Sequence, residues 1–248
     1  MPPQVIIVVP CYNEEKRLPV ADYEAFVRDH DDYKFLMVND GSRDGTLNLL
    51  KALAAKHPDF FEVLNLEKNG GKAEAVRQGI LRALDMGTQW VAFWDSDLAT
   101  RLDELPLFTA IAHERPDLQI ILGARVRLLG REIHRKLPRH ILGRVFATTA
   151  SNYLRWPVYD TQCGAKFFRN VPIIREIYQE PFISRWIFDV ELLVRFKKAC
   201  QRAGAGNGSD KIYEHPLRRW EDVKGSTVKG RDFFKAFFEF FRIVMKYK

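Results

Sequence analysis

Two aspartates that follow a hydrophobic stretch are the first residues of this sequence whose spacing suggests chemistry. Asp95-Ser96-Asp97 comes directly after WVAFW, residues 90–94, a run typical of a buried strand. Two carboxylates on a tight turn suit a hard divalent cation, Mg²⁺ or Mn²⁺, which would neutralise a diphosphate leaving group. Asp97 could instead only cap the turn that follows. The pair alone leaves a metal site and a structural turn open.

Three further polar segments also follow hydrophobic runs: residues 10–14 (PCYNE), 39–42 (NDGS) and 69–72 (NGGK). Asn39 and Asp40 offer amide and carboxylate groups for a nucleobase or ribose, although ordinary strand-to-helix turn chemistry explains the segment equally well. Glycines before Lys72 at a predicted helix start favour an anion. Their spacing matches neither a P-loop nor a dinucleotide-binding fingerprint, so this segment is a weak signal by itself.

Hydrophobic, β-branched runs alternate with helical patterns along the first half of the chain. The runs predict strands at 4–10, 34–38, 61–66, 90–94 and 119–122, and the patterns between them predict helices near 19–30, 44–56, 71–86 and 103–114. This alternation indicates an α/β fold, a Rossmann-like, mostly parallel sheet flanked by helices. Ligands of such sheets bind beyond the carboxyl ends of the strands. The four polar segments should therefore converge on one edge.

The second half of the chain has weaker periodicity. After residue 123 we expect a basic, helical segment through 155, a strand at 166–169, a helix at 185–202 and a short strand at 212–215. RDFFKAFFEFFRIVMKYK predicts a C-terminal amphipathic helix. No internal repeat and no Pro- or Ser-rich linker marks a boundary. We therefore expect one catalytic domain over residues 1–230, followed by an aromatic helix over 231–248.

Six segments together resemble glycosyltransferase family 2, whose enzymes have the GT-A fold. They occur in the family's order and spacing: VVPCYNEEKRL, VNDGSRDGT, NGGKAEAVRQG, WDSDLAT, DTQCGAKFF and RWIFDVELL. Within the family the chain is most similar to the dolichyl-phosphate glucose and mannose synthases, with DTQCG and RWIFDVELL closer to the glucose branch. The resemblance implies inverting transfer of a hexose from a nucleotide sugar, UDP-glucose or else GDP-mannose, to a polyprenyl phosphate.

The resemblance also implies roles for individual residues. The nucleotide sugar would be bound by Pro10, Tyr12, Glu14, Asn39, Asp40, Lys72 and Asp95. The divalent cation would be bound by Asp95 and Asp97, and the catalytic set would be Asp97, Arg125 and Asp189. The chain departs from the family pattern twice, because Asn39 stands where an aspartate is usual and Ala99 where mannose synthases commonly place a glutamine ligand.

Asp189 invites a second interpretation. Many family members place a catalytic base on the equivalent segment, whereas acids in the first turn of any helix also favour its dipole. A lipid monophosphate has a second pKa near ~6 and arrives ionised, so it needs little deprotonation. We therefore expect Asp189 to position a cation or the sugar more than to remove a proton.

The net charge of +7 is unevenly distributed. Residues 125–155 carry eight bases and one acid, and residues 211–248 carry ten bases and five acids, which leaves the remainder acidic. The candidates for the acceptor phosphate are Arg125, Arg135, Arg218 and Lys224. Bases interleaved with aliphatic residues favour an anionic membrane surface, although a solvated helix face has the same pattern.

The C-terminal helix carries six phenylalanines on a wide arc, Phe233, Phe234, Phe237, Phe238, Phe240 and Phe241. The protein's own core, a dimer partner or a bilayer would each cover such a face. The oligomeric state stays open at this point.

Composition excludes several classes of protein. With 46% hydrophobic residues in 248, the chain can bury a core and is neither disordered nor a disulfide miniprotein. Three dispersed cysteines predict a reducing compartment without structural zinc.

The N-terminal apolar run is too short for a signal peptide, and no stretch approaches the ~20 residues of a spanning helix. We expect a cytoplasmic enzyme peripheral to a membrane; a family member with a soluble or glycan acceptor and a basic nucleic-acid-binding module are the alternatives.

Overall fold

The computed structural model describes residues 4–134, 137–222 and 230–248, and their side chains except those of 137–140 and 230–234. The strands are β1 Val5–Cys11, β2 Tyr33–Asp40, β3 Phe61–Leu66, β4 Trp90–Trp94, β5 Ile120–Ala124, β6 Glu132–His134, β7 Ala165–Arg169, β8 Ile212–Pro216 and β9 Arg219–Glu221. The helices are α1 Val20–Asp29, α2 Thr46–Lys56, α3 Lys72–Asp85, α4 Leu105–Glu114, α5 Leu137–Leu154, α6 Pro172–Gln179, α7 Phe188–Arg202 and α8 Gly230–Lys246. The α/β class expected from the alternation is confirmed.

The central sheet has the strand order β3-β2-β1-β4-β7-β5-β8. Neighbouring strands are parallel except at β7, which lies antiparallel between β4 and β5. In the parallel part, Cys11 at the end of β1 is opposite Asn39, and Asn39 is opposite Asn65. Parallel strands end at the same edge, so the polar segments that follow β1, β2, β3 and β4 meet there, as expected.

Both faces of the sheet are buried, and alternate residues of β1 show how. Ile6 and Val8 pack into a cluster that also contains residues of α3 and α7, whereas Ile7 packs with residues of α1 and α4. These side chains are fully buried. Each contributes roughly 1.5–3 kcal/mol of transfer free energy, so the strands form a rigid platform for the loops at their ends.

The region after residue 123 corrects the sequence interpretation. The expected helical segment contains β6 first, paired in parallel with β9, and the helix begins at Leu137. Helix α6 was not predicted from the sequence. Helix α7 begins at Phe188 rather than Arg185, because the Ser184 hydroxyl accepts the backbone N–H groups of Trp186 and Ile187 and forms a turn there.

The C-terminal helix packs into the same hydrophobic core as α3 and α7. Ala236, Phe240 and Ile243 are buried, and the Phe240 ring lies 6.0 Å from that of Phe146 on α5. Phe238 and Phe241 face outward, 66% and 59% exposed. Phe233 and Phe234 lie outside the described side chains. Within the described ranges, no helix is long and apolar enough to cross a bilayer.

Candidate active site

A cavity of ≈ 240 Å³ opens at the carboxyl edge of the sheet. Five of the predicted site residues line it: Lys72, Asp95, Asp97, Arg125 and Asp189. Its wall also includes Arg144, Phe146 and Ala147 of α5, Trp186 and Ile187 before α7, Trp220 of β9 and Ala236 of α8. The fold therefore brings carboxylates, cations and an apolar surface into one space.

The two aspartates after β4 occupy a tight turn. The backbone N–H of Asp95 donates to the carbonyl of Gly164 at 2.9 Å, and its Oδ1 lies 2.5 Å from Lys72 Nζ. Asp97 Oδ1 accepts the backbone N–H of Ala99 at 3.1 Å. Leu98 between them has φ +52°, in the left-handed region. Asp97 thus caps the turn and also faces the cavity, so the two interpretations of the motif are compatible.

Electrostatics favour a cation beside this pair. Burial raises the pKa of Asp97, and the charge of Asp95 raises it further. Burial alone would lower the pKa of Lys72, but Asp95 and Asp189 raise it. A divalent cation fits the hard oxygen atoms of the pair. Among the described residues, no group of three or more His, Cys, Asp or Glu side chains is arranged around a metal position. The cavity lining does offer a cation the carboxylates of Asp95 and Asp97.

Gly164 is a site residue that the sequence analysis did not single out. A Cβ atom added there would lie 1.8 Å from Asp95 Oδ2. Only glycine leaves room for the Asp95 carboxylate at this point of the cavity wall. The signal in the sequence was the glycine of DTQCG, which without the sheet topology could not be placed against β4.

Asp40 at the end of β2 is committed to the neighbouring loop. Its carboxylate accepts the backbone N–H groups of Gly70 and Gly71 at 2.7 and 2.9 Å and the side-chain amide of Asn69 at 2.9 Å. Burial raises the pKa of Asp40 despite these bonds. Asn39 donates to Asn65 Oδ1 at 2.7 Å. Of these two predicted nucleoside ligands, Asp40 therefore shapes the loop that precedes Lys72, and Asn39 bonds to a residue of β3.

The remaining predicted nucleotide contacts lie at the end of β1 and outside the cavity lining. Tyr12 is 39% exposed, and Pro10 is partly buried. Glu14 is buried beside Arg17, whose guanidinium lies 2.7 Å from its Oε1. Burial raises the pKa of Glu14, while Arg17 lowers it and Asp97 adds a smaller increase. The electrostatic coupling between Glu14 and Asp97 connects this loop to the carboxylate pair.

Arg125, after β5, forms a bidentate ion pair with Asp160. Its Nε and Nη2 donate to the two carboxylate oxygens at 2.6 and 2.8 Å, and the guanidinium lies 5.2 Å from the centre of the Trp220 ring. Asp160 is itself fixed by Glu214, which accepts its backbone N–H at 2.8 Å. Although burial opposes the charge, Asp160 raises the pKa of Arg125. The guanidinium is permanently charged and oriented at the cavity wall.

Asp189, in the first turn of α7, pairs with a lysine that the sequence analysis did not identify. Lys166 on β7 is fully buried, and its Nζ lies 2.7 Å from Asp189 Oδ1. Burial raises the pKa of Asp189, whereas Lys166 and Lys72 lower it. A lysine inside the hydrophobic strand AKFFR was the available signal, because a buried charge requires a partner. The partner itself could not be read from the sequence.

The structure separates the candidate phosphate ligands. Arg218 lies outside the cavity lining and interacts with Glu104 and with the carbonyl of Asp103. Arg135 and Lys224 lie outside the described residues. Arg144 of α5 takes a place in the cavity wall, where its guanidinium donates to the carbonyl of Tyr159 at 2.6 Å. Arg125 and Arg144 are thus the arginines of the described cavity lining.

Solved structures with the same architecture share very little sequence with this chain. Glucosyl-3-phosphoglycerate synthase of Mycobacterium tuberculosis superposes with a TM-score of 0.64 at 15% identity, covering 98% of this chain and 81% of that one. A mannosyltransferase of Pyrobaculum calidifontis, solved with GDP-Man and Mn²⁺, gives 0.58 at 18% identity over 100% and 63%. These likenesses show the fold, which is GT-A.

Curated relatives share more sequence. A dolichyl-phosphate beta-glucosyltransferase of Dictyostelium discoideum is 32% identical over 205 residues, covering 77% of this chain and 62% of the relative, less than two thirds of its length. One of Trichomonas vaginalis is 30% identical, covering 97% of this chain and 71% of the relative. The model of the glycosyl transferase family 2 domain matches residues 6–176. That match spans the carboxylate-bearing loops of β1, β2 and β4, and the chain belongs to glycosyl transferase family 2.

Proposed function

We propose that this protein transfers a hexose, glucose from UDP-glucose, to a polyprenyl phosphate with inversion at the anomeric carbon. The observation that carries the proposal is the composition of one cavity, which is lined by the carboxylates of Asp95 and Asp97, the guanidinium groups of Arg125 and Arg144, and apolar side chains of α5 and α8. The names of the curated relatives, dolichyl-phosphate beta-glucosyltransferases, support the same donor sugar and acceptor.

The carboxylate pair would bind a divalent cation, Mg²⁺ or Mn²⁺, together with the donor diphosphate. A bound cation would neutralise the negative charge that develops on the leaving diphosphate. The M. tuberculosis synthase was also solved in complex with Mn²⁺, UDP and glucosyl-3-phosphoglycerate, which supports a divalent cation that binds with the nucleotide. Lys72, 2.5 Å from Asp95, adds a fixed positive charge to the same end of the cavity.

The arginines would bind the acceptor. An oxygen of the acceptor phosphate attacks the anomeric carbon from the side opposite the leaving group, a C–O bond forms, and the C–O bond to the diphosphate breaks with its electron pair leaving on UDP. The acceptor needs no base, because a phosphate monoester with a second pKa near ~6 is ionised at neutral pH. Asp189 is neutralised by Lys166 and acts as a fixed charge in this scheme. Arg125, oriented by Asp160, faces the incoming phosphate.

A membrane surface suits the outer face of α5 and α8. Exposed apolar residues on the two helices are Ile141, Leu142, Val145, Phe238, Phe241 and Met245. Exposed bases on α8 include Lys235, Arg242 and Lys246. Each base near an anionic bilayer contributes about 1 kcal/mol to the free energy of membrane binding. Burial of the exposed apolar side chains in the bilayer would strengthen binding further. The same two helices contribute Arg144, Phe146, Ala147 and Ala236 to the cavity lining, so a lipid phosphate would reach the arginines from the bilayer.

The central experiment is a transfer assay with radiolabelled UDP-glucose and GDP-mannose. We expect label from UDP-glucose in an organic-extractable product when polyprenyl phosphate is the acceptor, and none without a divalent cation. Label transferred to phosphoglyceric acid and not to the lipid would instead establish a soluble acceptor. Oligonucleotide binding at physiological salt that UDP-glucose does not displace would favour the nucleic-acid-binding alternative.

Liposome flotation tests the membrane surface. The double variant Phe238→Ser/Phe241→Ser should lose binding to phosphatidylserine-containing vesicles, because both rings are exposed on the proposed face. Tyr213→Ser is the control, since Tyr213 is an exposed aromatic on β8 and belongs to neither α5 nor α8. Unchanged flotation of the double variant would contradict the assigned surface.

A further inference from the structure

The segment between α6 and α7 connects the C-terminal helix to the donor end of the cavity. Trp186 and Ile187 of this segment line the cavity. Neither residue belongs to a helix or a strand, because α6 ends at Gln179 and α7 begins at Phe188. The contacts that determine its position come from elements on either side.

On one side the segment is bonded to α8. The buried Ser184 hydroxyl donates to Glu239 Oε2 at 2.5 Å and accepts the N–H groups of Trp186 and Ile187 at 3.1 and 2.7 Å. One donor and both acceptor positions of this hydroxyl are therefore used. The turn that presents Trp186 and Ile187 to the cavity is held by a carboxylate of the C-terminal helix.

A second connection runs through Tyr247 near the end of the same helix. Its hydroxyl donates to Glu191 Oε1 at 2.8 Å and accepts from Arg195 Nε at 2.9 Å. Glu191 Oε2 accepts the backbone N–H of Ile183 at 2.7 Å. Arg195 in turn donates to the carbonyls of Ile177, Glu180 and Pro181. The start of the segment is thus fixed through the same helix.

On its other side the segment is bonded to the loop before Lys72. Arg185 donates to the carbonyls of Gly70 and Asn69 at 2.8 and 2.9 Å, and its own carbonyl accepts the N–H of Ala73 at 3.2 Å. This is the loop that Asp40 binds, and it leads into Lys72 beside Asp95. A continuous series of hydrogen bonds therefore runs from α8 to the donor end.

We infer that Glu239 and Tyr247 are positioning residues through which α8, seated on an anionic bilayer, orders the 183–187 segment and the Lys72 loop for donor binding. The inference rests on the proposed function for the donor and for the membrane surface. Because coupling between two sites is reciprocal, vesicle binding should strengthen donor binding and donor binding should strengthen vesicle binding.

The test is the dissociation constant of UDP-glucose with Mn²⁺, measured by calorimetry with and without phosphatidylserine-containing vesicles. Vesicles should tighten donor binding to the unaltered chain by about 5-fold, the lower end of typical coupling between sites. Glu239→Ala should lose this gain, whereas Glu239→Gln should keep it, because the amide oxygen still accepts the Ser184 proton. Tyr247→Phe should lose part of this gain, because it removes the hydroxyl that bonds Glu191 and Arg195 and leaves the bond between Glu239 and Ser184 in place.

Glu114→Ala is the matched control, because it removes an exposed acid from α4 that does not line the cavity. It should retain the full gain. A Glu239→Ala protein that responds to vesicles like the unaltered chain overturns the inference, as does an unaltered chain that floats and binds donor with no gain. An unaltered chain that does not float removes the membrane part of the proposed function, and the inference with it.

Discussion

Two sets of carboxylates at the carboxyl edge of the sheet are held by different means. Asp40 and Asp97, the backbone-bonded set, accept hydrogen bonds from backbone N–H groups. Asp160 and Asp189, the ion-paired set, are neutralised by the side chains of Arg125 and Lys166. A backbone donor is present whatever residue stands there, whereas an ion pair depends on the identity of both partners.

This difference separates ligand binding from stability. Asp97 accepts its backbone N–H with one oxygen, so an amide at that position keeps the bond and removes only the charge that a ligand needs. Asp40 uses both oxygens, so an amide there would also lose a backbone bond. Removing one member of an ion pair leaves a buried charge without compensation, which is costly to the fold. We therefore expect Asp97 variants to fail in binding and variants that break an ion pair to fail in folding.

Asp97→Asn should have the largest effect on activity. The amide oxygen can still accept the Ala99 N–H, so the melting temperature should stay near that of the unaltered chain, while transfer falls by at least about 100-fold. Cation-dependent UDP binding, followed by calorimetry, should be lost in parallel. Retained transfer would refute the metal role, and a large fall in melting temperature would contradict the contrast between backbone-bonded and ion-paired carboxylates.

Lys166→Met should have the largest effect on stability. It leaves Asp189 buried without its partner, and we expect a loss of about 3–5 kcal/mol in the free energy of unfolding measured with urea. The double variant Lys166→Met/Asp189→Asn should recover much of this loss, because neither charge remains. If the single and double variants are equally unstable, the ion pair is not the source of the effect.

Arg125→Lys tests geometry with the charge preserved. A lysine cannot donate to both oxygens of Asp160 as the planar guanidinium does, so the acceptor KM should rise by about 10-fold, equivalent to one charged hydrogen bond. The KM for UDP-glucose should stay unchanged. A rise in the donor KM alone would assign Arg125 to donor binding and contradict its role toward the acceptor.

Asn39→Asp should have the smallest effect. It restores the aspartate usual in the family, and the Asn65 amide can turn to donate to the new carboxylate, so the change in the free energy of unfolding should stay within about 1 kcal/mol. Donor affinity should be unchanged, because Asn39 is buried against Asn65. A several-fold gain in UDP binding would show that this position contacts the nucleoside directly.

The sequence could predict the elements that follow from local pattern, and it could not predict contacts between side chains that are distant along the chain. Hydrophobic runs ending in polar residues predicted β1 to β5 and the edge where Asp95 and Asp97 lie, because both follow from local pattern. Lys166 could not be paired with Asp189, nor Arg125 with Asp160, because those contacts depend on β7 lying between β4 and β5. Helix α6 could not be predicted because its eight residues are too few to show a helical period clearly. Strands β6 and β9 could not be predicted because three residues are too few to show alternation.

The insertion of β7 also has a consequence for synthesis of the chain. β4 and β5 both emerge from the ribosome before β7, and each must keep a hydrogen-bonding edge unpaired until residues 165–169 arrive. Exposed strand edges promote aggregation of nascent chains. Nascent chains stalled before residue 165 should therefore bind chaperones and be cleaved by protease, and chains with residue 169 outside the tunnel should begin to resist cleavage at β4, whose two edges are then paired.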